Sequence, residues 1–406
     1  MRTTEFSQPD AILVRTPRPQ CPLCAESDTQ LVVALRNLPV HIGRLWDSKE
    51  SAKTAPRGDV ELTFCRCCGF VFNAAYDAKK LQFEPGYEYS LHHSPSHLAF
   101  LEATADRLVE RYDLKNKDIV EVGCGSGFFL KLLCERGGNR GWGFDPAVDS
   151  RSEISAGEGS VTLIPEFYGE AQSDVPCDLL VSRSMFELVP KPVEFLRQMR
   201  RTLGDRTGAR FYLDIPNTSY VFRHRASWNL FYEQCNYFVE ETLVKAFQSS
   251  GFDVLDAGEC LGEGYYLFVE AAPSDSGKSA WRRGDRLAIP SELTALADHH
   301  QQQLDHWRCC CESWRQEGKH VVAWGSGGRA INFLNLTAAG ERIEHIVDIN
   351  PARHGGFVSG SGQKNIAPEE LASMQPDVVV ITNNLYGDEI RQHVASLGIQ
   401  CDFVEI

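Results

Sequence analysis

Four cysteines stand in two closely spaced pairs in the first part of the sequence: Cys21 and Cys24, then Cys65 and Cys68. Two intervening residues allow both sulfurs of a pair to reach one ion, and four thiolates close a tetrahedral zinc site. Such a site is structural rather than catalytic, because four sulfur ligands leave no open position. The spacing therefore predicts a structural zinc ion and leaves Cys67 out. Two unrelated thiol pairs are the alternative interpretation.

A glycine-rich segment, IVEVGCGSGF at 119–128, has the pattern of a turn between a strand and a helix. Glycines at alternate positions permit a tight turn and a close approach of the backbone to a ligand; they are Gly123, Gly125 and Gly127. Glu121 precedes the first of them, and the next predicted strand ends in GFDP. This places Asp145 where a carboxylate can accept hydrogen bonds from both ribose hydroxyls. Dinucleotide-binding enzymes use a similar turn, so NAD is the alternative ligand.

These details resemble the first two motifs of class I methyltransferases, which bind S-adenosylmethionine. The resemblance implies that amides of the turn meet the methionine carboxylate and that Asp145 holds the ribose. The apolar run at 178–189 would deliver two further residues near the sulfonium, although the arginine among them could equally form a surface salt bridge. The expected cofactor-binding residues are Glu121, Gly123, Gly125, Gly127, Phe144, Asp145, Pro146, Ser182 and Arg183.

A second glycine turn, GSGGR at 325–329, follows an apolar run and opens a helical pattern. Such a turn presents amide N–H groups and a helix dipole to an anion, typically phosphate, and Arg329 would add charge. Asp348 stands at the end of the next predicted strand, at the spacing where an acidic residue meets a ribose. A helix-packing turn without a ligand is the alternative. Arg353 and His354 face either a nucleotide or solvent.

The elements that must position these residues fall into four regions. The patterning predicts a zinc-binding subdomain (1–75), a methyltransferase domain (76–272), a polar linker with a long helix (273–318) and a C-terminal lobe (319–406). Within the second region, short apolar runs alternate with helical stretches. This alternation predicts a doubly wound parallel sheet with an antiparallel strand near its edge. Helical patterns are expected from Ser96 to Tyr112 and from Pro290 to Gln316; both ranges are read from the sequence alone.

Composition argues against a nucleic-acid-binding protein and against a membrane protein. The 406 residues include 55 acidic and 41 basic side chains, a net charge of −14, which repels phosphate backbones and anionic lipids. No apolar run approaches the roughly 20 residues that span a bilayer, and no export signal is recognisable. Fourteen cysteines then indicate thiols and metal ligands rather than disulfides. We expect a cytoplasmic protein with a small-molecule partner, neither nucleic acid nor membrane; the oligomeric state is not predicted.

Taken together, the three motif-bearing regions resemble the sugar C-methyltransferases of deoxysugar antibiotic biosynthesis and a broader bacterial group related to them. The C-terminal region carries the resemblance in AWGSGGRAINFLN, VDINPARHGG and PDVVVITNNLY. The resemblance implies an α/β fold: a class I methyltransferase doubly wound, Rossmann-like sheet, an N-terminal zinc-binding subdomain and a C-terminal Rossmann-like lobe that helps to hold the nucleotide. It also implies methyl transfer from S-adenosylmethionine to a carbon beside a keto group of a nucleotide-linked sugar.

The family signature after the fifth strand is tyrosine, any residue, glutamate and histidine, followed shortly by Tyr-Phe. Here FYEQCNYF at 231–238 keeps Glu233 and the Tyr-Phe pair, but Gln234 replaces the proposed base histidine and Phe231 replaces the tyrosine. Upstream, Tyr87 matches a family tyrosine. With the second glycine turn included, the expected substrate-binding residues are Tyr232, Gln234, Gly325, Gly327, Arg329 and Asp348.

The glutamine matters, because methylation of a carbon beside a ketone requires a side chain that accepts a proton. An amide cannot do so near neutral pH, which leaves Glu233, His92, His93 and Tyr87 as candidate catalytic residues. Histidine matches the task best in pKa, although the two histidines could instead belong to a packed loop. An amine or acidic hydroxyl acceptor would need no strong base. N- or O-methylation of another small polar metabolite, or binding without catalysis, are therefore the alternatives.

Overall fold

The computed structural model of this chain describes residues 18–81, 83, 86–87, 89–274 and 286–406. The first 17 residues of the predicted zinc-binding subdomain and residues 275–285 of the predicted linker lie outside the described residues. No helix in the described part of the chain is both long enough and apolar enough to cross a bilayer.

The strands of the described residues are, in chain order, β1 (Thr29–Pro39), β2 (Leu45–Trp46), β3 (Arg57–Cys65), β4 (Val71–Asn73), β5 (Asp118–Val122), β6 (Arg140–Phe144), β7 (Ser152–Ala156), β8 (Gly159–Ile164), β9 (Leu179–Arg183), β10 (Arg210–Pro216), β11 (Asn236–Tyr237), β12 (Phe252–Cys260), β13 (Tyr266–Pro273), β14 (Val321–Trp324), β15 (His345–Val347), β16 (Phe357–Val358), β17 (Lys364–Ile366), β18 (Val378–Ile381) and β19 (Asp402–Glu405).

The α-helices are α1 (Lys49–Lys53), α2 (Pro95–Arg111), α3 (Phe128–Gly137), α4 (Pro192–Leu203), α5 (Thr218–Arg223), α6 (Glu240–Ser249), α7 (Ser291–Glu317), α8 (Gly328–Leu336), α9 (Leu371–Met374) and α10 (Gly387–Ser396). The two helices expected from periodicity, α2 and α7, begin and end within about one residue of their predicted bounds. The start of α2 is set by Ser94, whose hydroxyl accepts a hydrogen bond from the backbone N–H of His97.

The central sheet has the strand order β12-β13-β10-β9-β5-β6-β8-β7. Strands β10, β9, β5, β6 and β8 are parallel, and β13 lies antiparallel to β10. This arrangement confirms the predicted doubly wound sheet and is the class I methyltransferase fold. The antiparallel edge strand β7 was not expected, because its side chains are mostly exposed and form no apolar run.

Helices cover both faces of this sheet, and successive residues of β5 alternate between the two layers. Ile119 packs in the cluster formed with α2 and α3, whereas Val120 packs in the cluster formed with α4 and α6. Side chains that alternate in this way are buried on both sides, as parallel sheets require. The ends of β5, β6 and β9 are thereby held rigidly at one edge of the sheet.

The other two sheets connect distant parts of the sequence. The C-terminal sheet has the order β19-β18-β14-β15-β17-β16-β2, and β2 reaches it from the N-terminal region. The N-terminal sheet has the order β1-β3-β4-β11, and β11 comes from the segment that carries Glu233. The predicted regions therefore share sheets. Through β11, the segment 231–238 of the methyltransferase region is attached to the N-terminal sheet.

Candidate functional site

The four paired cysteines converge as predicted. Their sulfur atoms all lie within 4.8 Å of one another, and the distance is 3.6 Å both for Cys21 Sγ to Cys68 Sγ and for Cys24 Sγ to Cys65 Sγ. Ligands about 2.3 Å from a tetrahedral zinc ion lie roughly 3.8 Å apart, so this arrangement fits such an ion. Cys67 is not a member of the group.

The first glycine turn follows β5 directly. Gly123 has a φ of 74°, and a Cβ there would lie 2.8 Å from the Met185 side chain. Gly127 caps α3 with a φ of 74°, and a Cβ there would lie 2.7 Å from Leu163. Gly125 also has a positive φ, 51°, but a Cβ on it would meet nothing within 4 Å. Packing thus requires the outer two glycines, whereas the middle one borders open space.

Asp145 ties this turn to the end of β6. Its Oδ2 accepts a hydrogen bond from Gly125 N at 2.9 Å, and its Oδ1 accepts one from Ala147 N at 2.8 Å. A cavity of about 1110 Å³ lies beside the carboxylate. Predicted cofactor residues that line this cavity are Glu121, Gly123, Gly125, Phe144, Asp145, Pro146 and Arg183.

Two predicted cofactor residues do not line this cavity. Gly127 lies at the N-terminus of α3, where it serves as the cap. The Ser182 side chain is buried within β9, and its hydroxyl has no hydrogen-bond partner among the described residues. Side chains alternate along a strand. Because the next residue, Arg183, lines the cavity, Ser182 faces away from it.

Two ionisable groups lie beneath the turn. Glu121 is 3% exposed, and its Oε2 accepts a hydrogen bond from Leu130 N at 3.1 Å. Burial raises the pKa of Glu121 to about 8, although Arg183 opposes the shift. Arg183 Nε donates to the buried Asp214 at 2.6 Å, and its guanidinium lies 4.4 Å from the centre of the Phe129 ring. The arginine is therefore held in a buried ion pair rather than a surface one.

A second, smaller cavity of about 180 Å³ lies between the central sheet and the C-terminal lobe. The predicted substrate residues Gln234, Gly325, Gly327, Arg329 and Asp348 line it. The residues common to both cavities are Tyr87, Tyr89, Ser90, Leu91, Ser184, Leu188 and Tyr266. The larger cavity is called the cofactor cavity below, and the smaller one the acceptor cavity.

Glu233 is fully buried where the acceptor cavity meets Tyr87. Its Oε1 accepts a hydrogen bond from Ile42 N, and its Oε2 accepts one from Tyr87 Oη, both at 2.7 Å. Burial raises the pKa of Glu233 to about 7, while these hydrogen bonds lower it. The Tyr87 ring packs over Gly43, where a Cβ would lie 2.4 Å from the ring. The carboxylate and the phenol thus form a fixed pair.

The two histidines occupy the boundary between the cavities. The ring of His92 lies flat on Phe128, with centroids 4.0 Å apart and planes 4° apart, and lines the cofactor cavity. His93 is exposed and lines the acceptor cavity, with its ring centroid 4.3 Å from that of His92. Tyr232, by contrast, lines neither cavity. It is fully buried and its hydroxyl donates to Asp77 O at 3.3 Å, so the expected substrate contact is corrected to a packing role.

The second glycine turn is bound internally. Ser326 N donates to Asp348 Oδ2 at 3.0 Å, and Arg353, 4% exposed, donates from Nε to Ser326 Oγ at 2.6 Å. Arg353 also forms an ion pair with Asp348 at 3.7 Å. The His354 ring nitrogen Nε2 lies 2.7 Å from Asp348 O. The expectation of solvent exposure is therefore wrong for Arg353, which is buried, whereas His354 is partly exposed; a nucleotide contact of either residue stays a prediction.

Two buried residues at these cavities were not predicted. His97 is buried beside the cofactor cavity, its Nδ1 is 3.3 Å from Tyr386 Oη, and burial followed by Arg183 lowers its pKa to about 3. Glu187 lines the acceptor cavity, and burial raises its pKa to about 8. Glu187 lies inside an apolar run that gives no local signal of chemistry, whereas His97 belongs to the histidine-rich segment LHHSPSH, whose pattern does not show which ring becomes buried.

Two family models match this chain. One, described as a methyltransferase domain, matches residues 96–257, and the other, described as a C-methyltransferase C-terminal domain, matches residues 286–402. The first range covers most of the central sheet, and the second covers α7 and most of the C-terminal sheet.

Individual relatives are short or distant matches. Ribosomal RNA small subunit methyltransferase A of Mesomycoplasma hyopneumoniae is 53% identical over 32 residues, which are 8% of this chain and 12% of that protein. Magnesium protoporphyrin IX methyltransferase from Synechocystis PCC 6803, solved with bound SAH, is 15% identical with a TM-score of 0.34, covering 44% of this chain and 84% of that one. The 1,6-didemethyltoxoflavin-N1-methyltransferase of Burkholderia thailandensis is 15% identical with a TM-score of 0.32, covering 43% and 79%. Similarity at this level does not indicate a substrate.

Proposed function

We propose that this chain, an S-adenosylmethionine-dependent methyltransferase with a C-methyltransferase C-terminal domain, methylates a carbon beside a carbonyl group of a small polar acceptor. The leading acceptor is a nucleotide-linked keto-deoxysugar or a related natural-product intermediate. The observation that carries the proposal is the meeting of the cofactor cavity and the acceptor cavity at Tyr87, which is hydrogen-bonded to the buried Glu233.

The residues of the cofactor cavity fit S-adenosylmethionine. Asp145 presents a carboxylate for the ribose hydroxyls, and the space beside Gly125 leaves room for the ligand against the turn. Glu121 lies beneath the turn and offers a carboxyl group to the ligand's ammonium. When bound, the cofactor supplies an electrophilic methyl group on a positively charged sulfur.

Glu233 and Tyr87 are the proposed base. A pKa raised to about 7 by burial suits a carboxylate that must accept a proton near neutral pH. In this proposal the pair takes the proton from the acceptor carbon, and the electrons of the broken C–H bond pass toward the neighbouring carbonyl oxygen. His92 and His93 stand at the same boundary and are the second candidates for this step.

The charge of the chain supports a small acceptor. A net charge of −14 disfavours long-range attraction of a nucleic acid backbone. In the acceptor cavity, Arg329 donates from Nη1 to Asn383 and Asn384 side-chain oxygens at 3.1 and 3.2 Å, so one cation is held at the cavity wall. This local positive charge supports an anionic group on the acceptor, such as the phosphates of a nucleotide-linked sugar.

The test of the proposed function uses methyl-labelled S-adenosylmethionine and a panel of nucleotide-linked keto-deoxysugars. We expect label in a C-methylated product, and exchange of the acceptor's α-proton in deuterated water when S-adenosylhomocysteine occupies the enzyme. Glu233→Gln should slow both reactions by roughly 10² to 10⁴-fold. Glu270→Gln is the matched control, since Glu270 is also buried but pairs with Arg107 outside both cavities.

Gln234 favours a second candidate function, N- or O-methylation. Its side-chain amide donates to Asn236 O at 3.1 Å and lines the acceptor cavity, so no base stands at the position of the family histidine. Label transfer to a small amine or hydroxyl acceptor without α-proton exchange would support this candidate. Transfer of label from the cofactor to any small molecule would contradict the remaining alternative, binding without catalysis.

We also propose that the cysteine cluster holds a structural zinc ion. The ion would fix the loops before β1 and after β3, in the sheet that also receives β11 and thereby holds the Glu233 segment. Metal analysis by mass spectrometry should find one zinc ion per chain. Cys24→Ser should reduce that content, whereas Cys67→Ser, the neighbouring thiol outside the cluster, should not. Equal loss in both variants, or a different metal, would contradict the assignment.

A further inference from the structure

Glu187 places a second carboxyl group in the acceptor cavity. It lies just after β9, is 5% exposed, and its Oε2 has no hydrogen-bond partner among the described residues. Its backbone oxygen accepts a hydrogen bond from Cys235 N at 3.1 Å, which fixes the main chain to the segment that carries Glu233. The main chain that carries the carboxyl group is therefore fixed beside the acceptor cavity.

We propose that Glu187 stands in this cavity as a neutral carboxylic acid and donates a hydrogen bond to the carbonyl oxygen of the acceptor. This inference rests on the proposed function, because it assigns a role in C-methylation to a residue beside the proposed base. Glu187 would thereby be a further catalytic residue, since its proton contacts the oxygen toward which charge moves.

The contrast with Glu233 supports the neutral state. Glu233 accepts hydrogen bonds from Ile42 N and Tyr87 Oη, and such donors stabilise a carboxylate. A buried carboxyl oxygen without a donor keeps its proton, because the anion would lose its hydration without compensation. Two neighbouring buried carboxyl groups also resist double ionisation. The cavity thus holds one carboxyl group suited to be the anion and one suited to be the acid.

The side chains that face Glu187 act in the same direction, whereas a hydrogen bond from its own backbone N–H lowers the pKa of the carboxyl group. Asp214 on β10, Cys235 beside β11, and Glu233 and Tyr87 bring no positive charge to Glu187, and the cation nearest to Asp214, Arg183, is bound to that carboxylate at 2.6 Å. Burial, reinforced by Asp214 and Glu233, raises the pKa of Glu187 to about 8. These surroundings favour the protonated form.

The chemistry balances without a further reactant. The acceptor's C–H bond breaks, its proton passes to the Glu233–Tyr87 pair, and its electrons form a carbon–carbon double bond. The π electrons of the carbonyl group move onto oxygen, which draws the hydrogen bond from Glu187 closer while the O–H bond of Glu187 stays intact. A donor aimed at developing negative charge is worth roughly 10² to 10³-fold in rate.

Two variants separate an acid from a base at this position. Glu187→Gln keeps a neutral donor, so we expect it to retain the rate with the nucleotide-linked keto-deoxysugar within about tenfold, whereas Glu187→Ala should lose on the order of 100-fold. The wild-type rate should fall as pH rises through the pKa of Glu187, and this alkaline decline should be absent in Glu187→Gln. Affinity for S-adenosylhomocysteine should match the wild type in both variants, which shows that the fold is intact.

A second measurement needs no acceptor. The infrared spectrum of the S-adenosylhomocysteine complex at pH 7 should show a protonated carboxyl C=O band that is absent in Glu187→Gln. Lack of that band overturns the assignment, even when C-methylation is observed. A band without C-methylation instead isolates the failure in the proposed function. Glu187→Gln as inactive as Glu187→Ala, or both as active as wild type, would also overturn the inference.

Discussion

The two glycine turns of this molecule share one hydrogen-bond frame but differ in what completes it. At the front turn, Gly123 N donates to Phe144 O at 2.8 Å and Gly125 N donates to Asp145 Oδ2 at 2.9 Å. The other oxygen of this carboxylate accepts from Ala147 N at 2.8 Å. One acidic side chain thus holds the turn, the end of the next strand and its own loop together.

The rear turn repeats these bonds. Gly325 N donates to Val347 O at 2.8 Å, and Ser326 N donates to Asp348 Oδ2 at 3.0 Å. The second oxygen of Asp348 accepts from Asn350 N at 2.9 Å. A glycine turn and an acidic residue at the next strand end therefore produce a similar set of hydrogen bonds twice. The carboxylate accepts from the third residue of the front turn and from the second residue of the rear turn.

The surroundings of the two carboxylates differ. Arg353 is buried against Asp348 and the rear turn, whereas Asp145 has no ion pair among the described residues and borders a cavity of about 1110 Å³. Two residues before the first glycine, the front strand carries the buried Glu121 and the rear strand carries Ala323. The front turn thus keeps acidic groups that form no ion pair among the described residues, whereas the carboxylate of the rear turn is paired with a buried arginine. The frame alone does not make a cofactor site.

The largest expected difference is in how stability depends on pH. The pKa of Glu121 rises from 4.5 to about 8 on folding because of burial, so the folded state holds a proton that the unfolded state releases between these values. The contribution of Glu121 to stability is therefore fully present below about pH 4.5 and is lost as pH rises to about 8. For such a shift in pKa the loss is about 5 kcal/mol. Urea unfolding of the ligand-free protein between pH 5 and 9 should show this decline.

Glu121→Ala, which gives the front strand the residue found at the rear, should remove the share of this dependence that comes from Glu121, roughly a third. Glu187 and Glu233 also have raised pKa values, to about 8 and about 7, and should account for what remains. An unchanged pH profile in Glu121→Ala would show that the two turns do not differ in this respect.

The next largest effect is expected at the rear. Asp348→Ala would remove the carboxylate that forms an ion pair with the buried guanidinium of Arg353, which should lower the free energy of unfolding by about 3 to 5 kcal/mol. Asp388→Ala is the matched control, because Asp388 pairs with Arg391 at a similar 3.6 Å but is exposed, and should change stability by less than about 1 kcal/mol. Equal unfolding curves for the two variants would contradict the internal role of Asp348.

Much of the front half could be predicted because its signals are local. Apolar runs of strand length predicted β5, β6, β8, β9 and β10 along the chain. The glycines and Asp145 then follow the ends of two of these strands, β5 and β6. The placement of seven of the nine proposed cofactor residues around one cavity follows from that spacing. Alternation along a strand explains the exception of Ser182, since its neighbour Arg183 takes the cavity side.

What could not be predicted depends on contacts between distant segments. Strand β2 has two residues and gives no periodic signal, yet it joins the C-terminal sheet through β16. Arg353 stands only five positions after Asp348, but its inward direction depends on a short turn that Asn350 caps. The burial of Glu187 depends on a segment nearly fifty residues further along the chain, at Cys235.

The affinity for S-adenosylhomocysteine should depend on the front carboxylate and not on the rear one. Asp145→Ala should weaken S-adenosylhomocysteine binding by about 3 kcal/mol, on the order of 100-fold, because a charged acceptor of ribose hydrogen bonds is lost. Asp348→Ala should leave that affinity unchanged. Isothermal titration calorimetry measures both. Heat with a nicotinamide dinucleotide, and none with S-adenosylmethionine or its demethylated product, would overturn the assignment of the front cavity.

The smallest effect is expected from adding one methyl group to each turn. Gly125 has a φ of 51°, and a methyl group on it would meet no heavy atom within 4 Å, so Gly125→Ala should cost about 1 kcal/mol of backbone strain. Gly325 has a φ of 93°, and a methyl there would lie 2.8 Å from Thr382 Oγ1, whose hydroxyl donates to Trp324 O. Gly325→Ala should therefore unfold at lower urea than Gly125→Ala.

The affinity for S-adenosylhomocysteine should show the reverse order. The methyl group of Gly125→Ala enters space that the cofactor would use, whereas that of Gly325→Ala lies against Thr382, away from the cofactor cavity. A measurable loss of binding, up to about tenfold, in Gly125→Ala with none in Gly325→Ala would place S-adenosylhomocysteine at the front turn. If both variants bound equally well, the open side of the front turn would not face the cofactor, and the difference between the turns would be one of packing only.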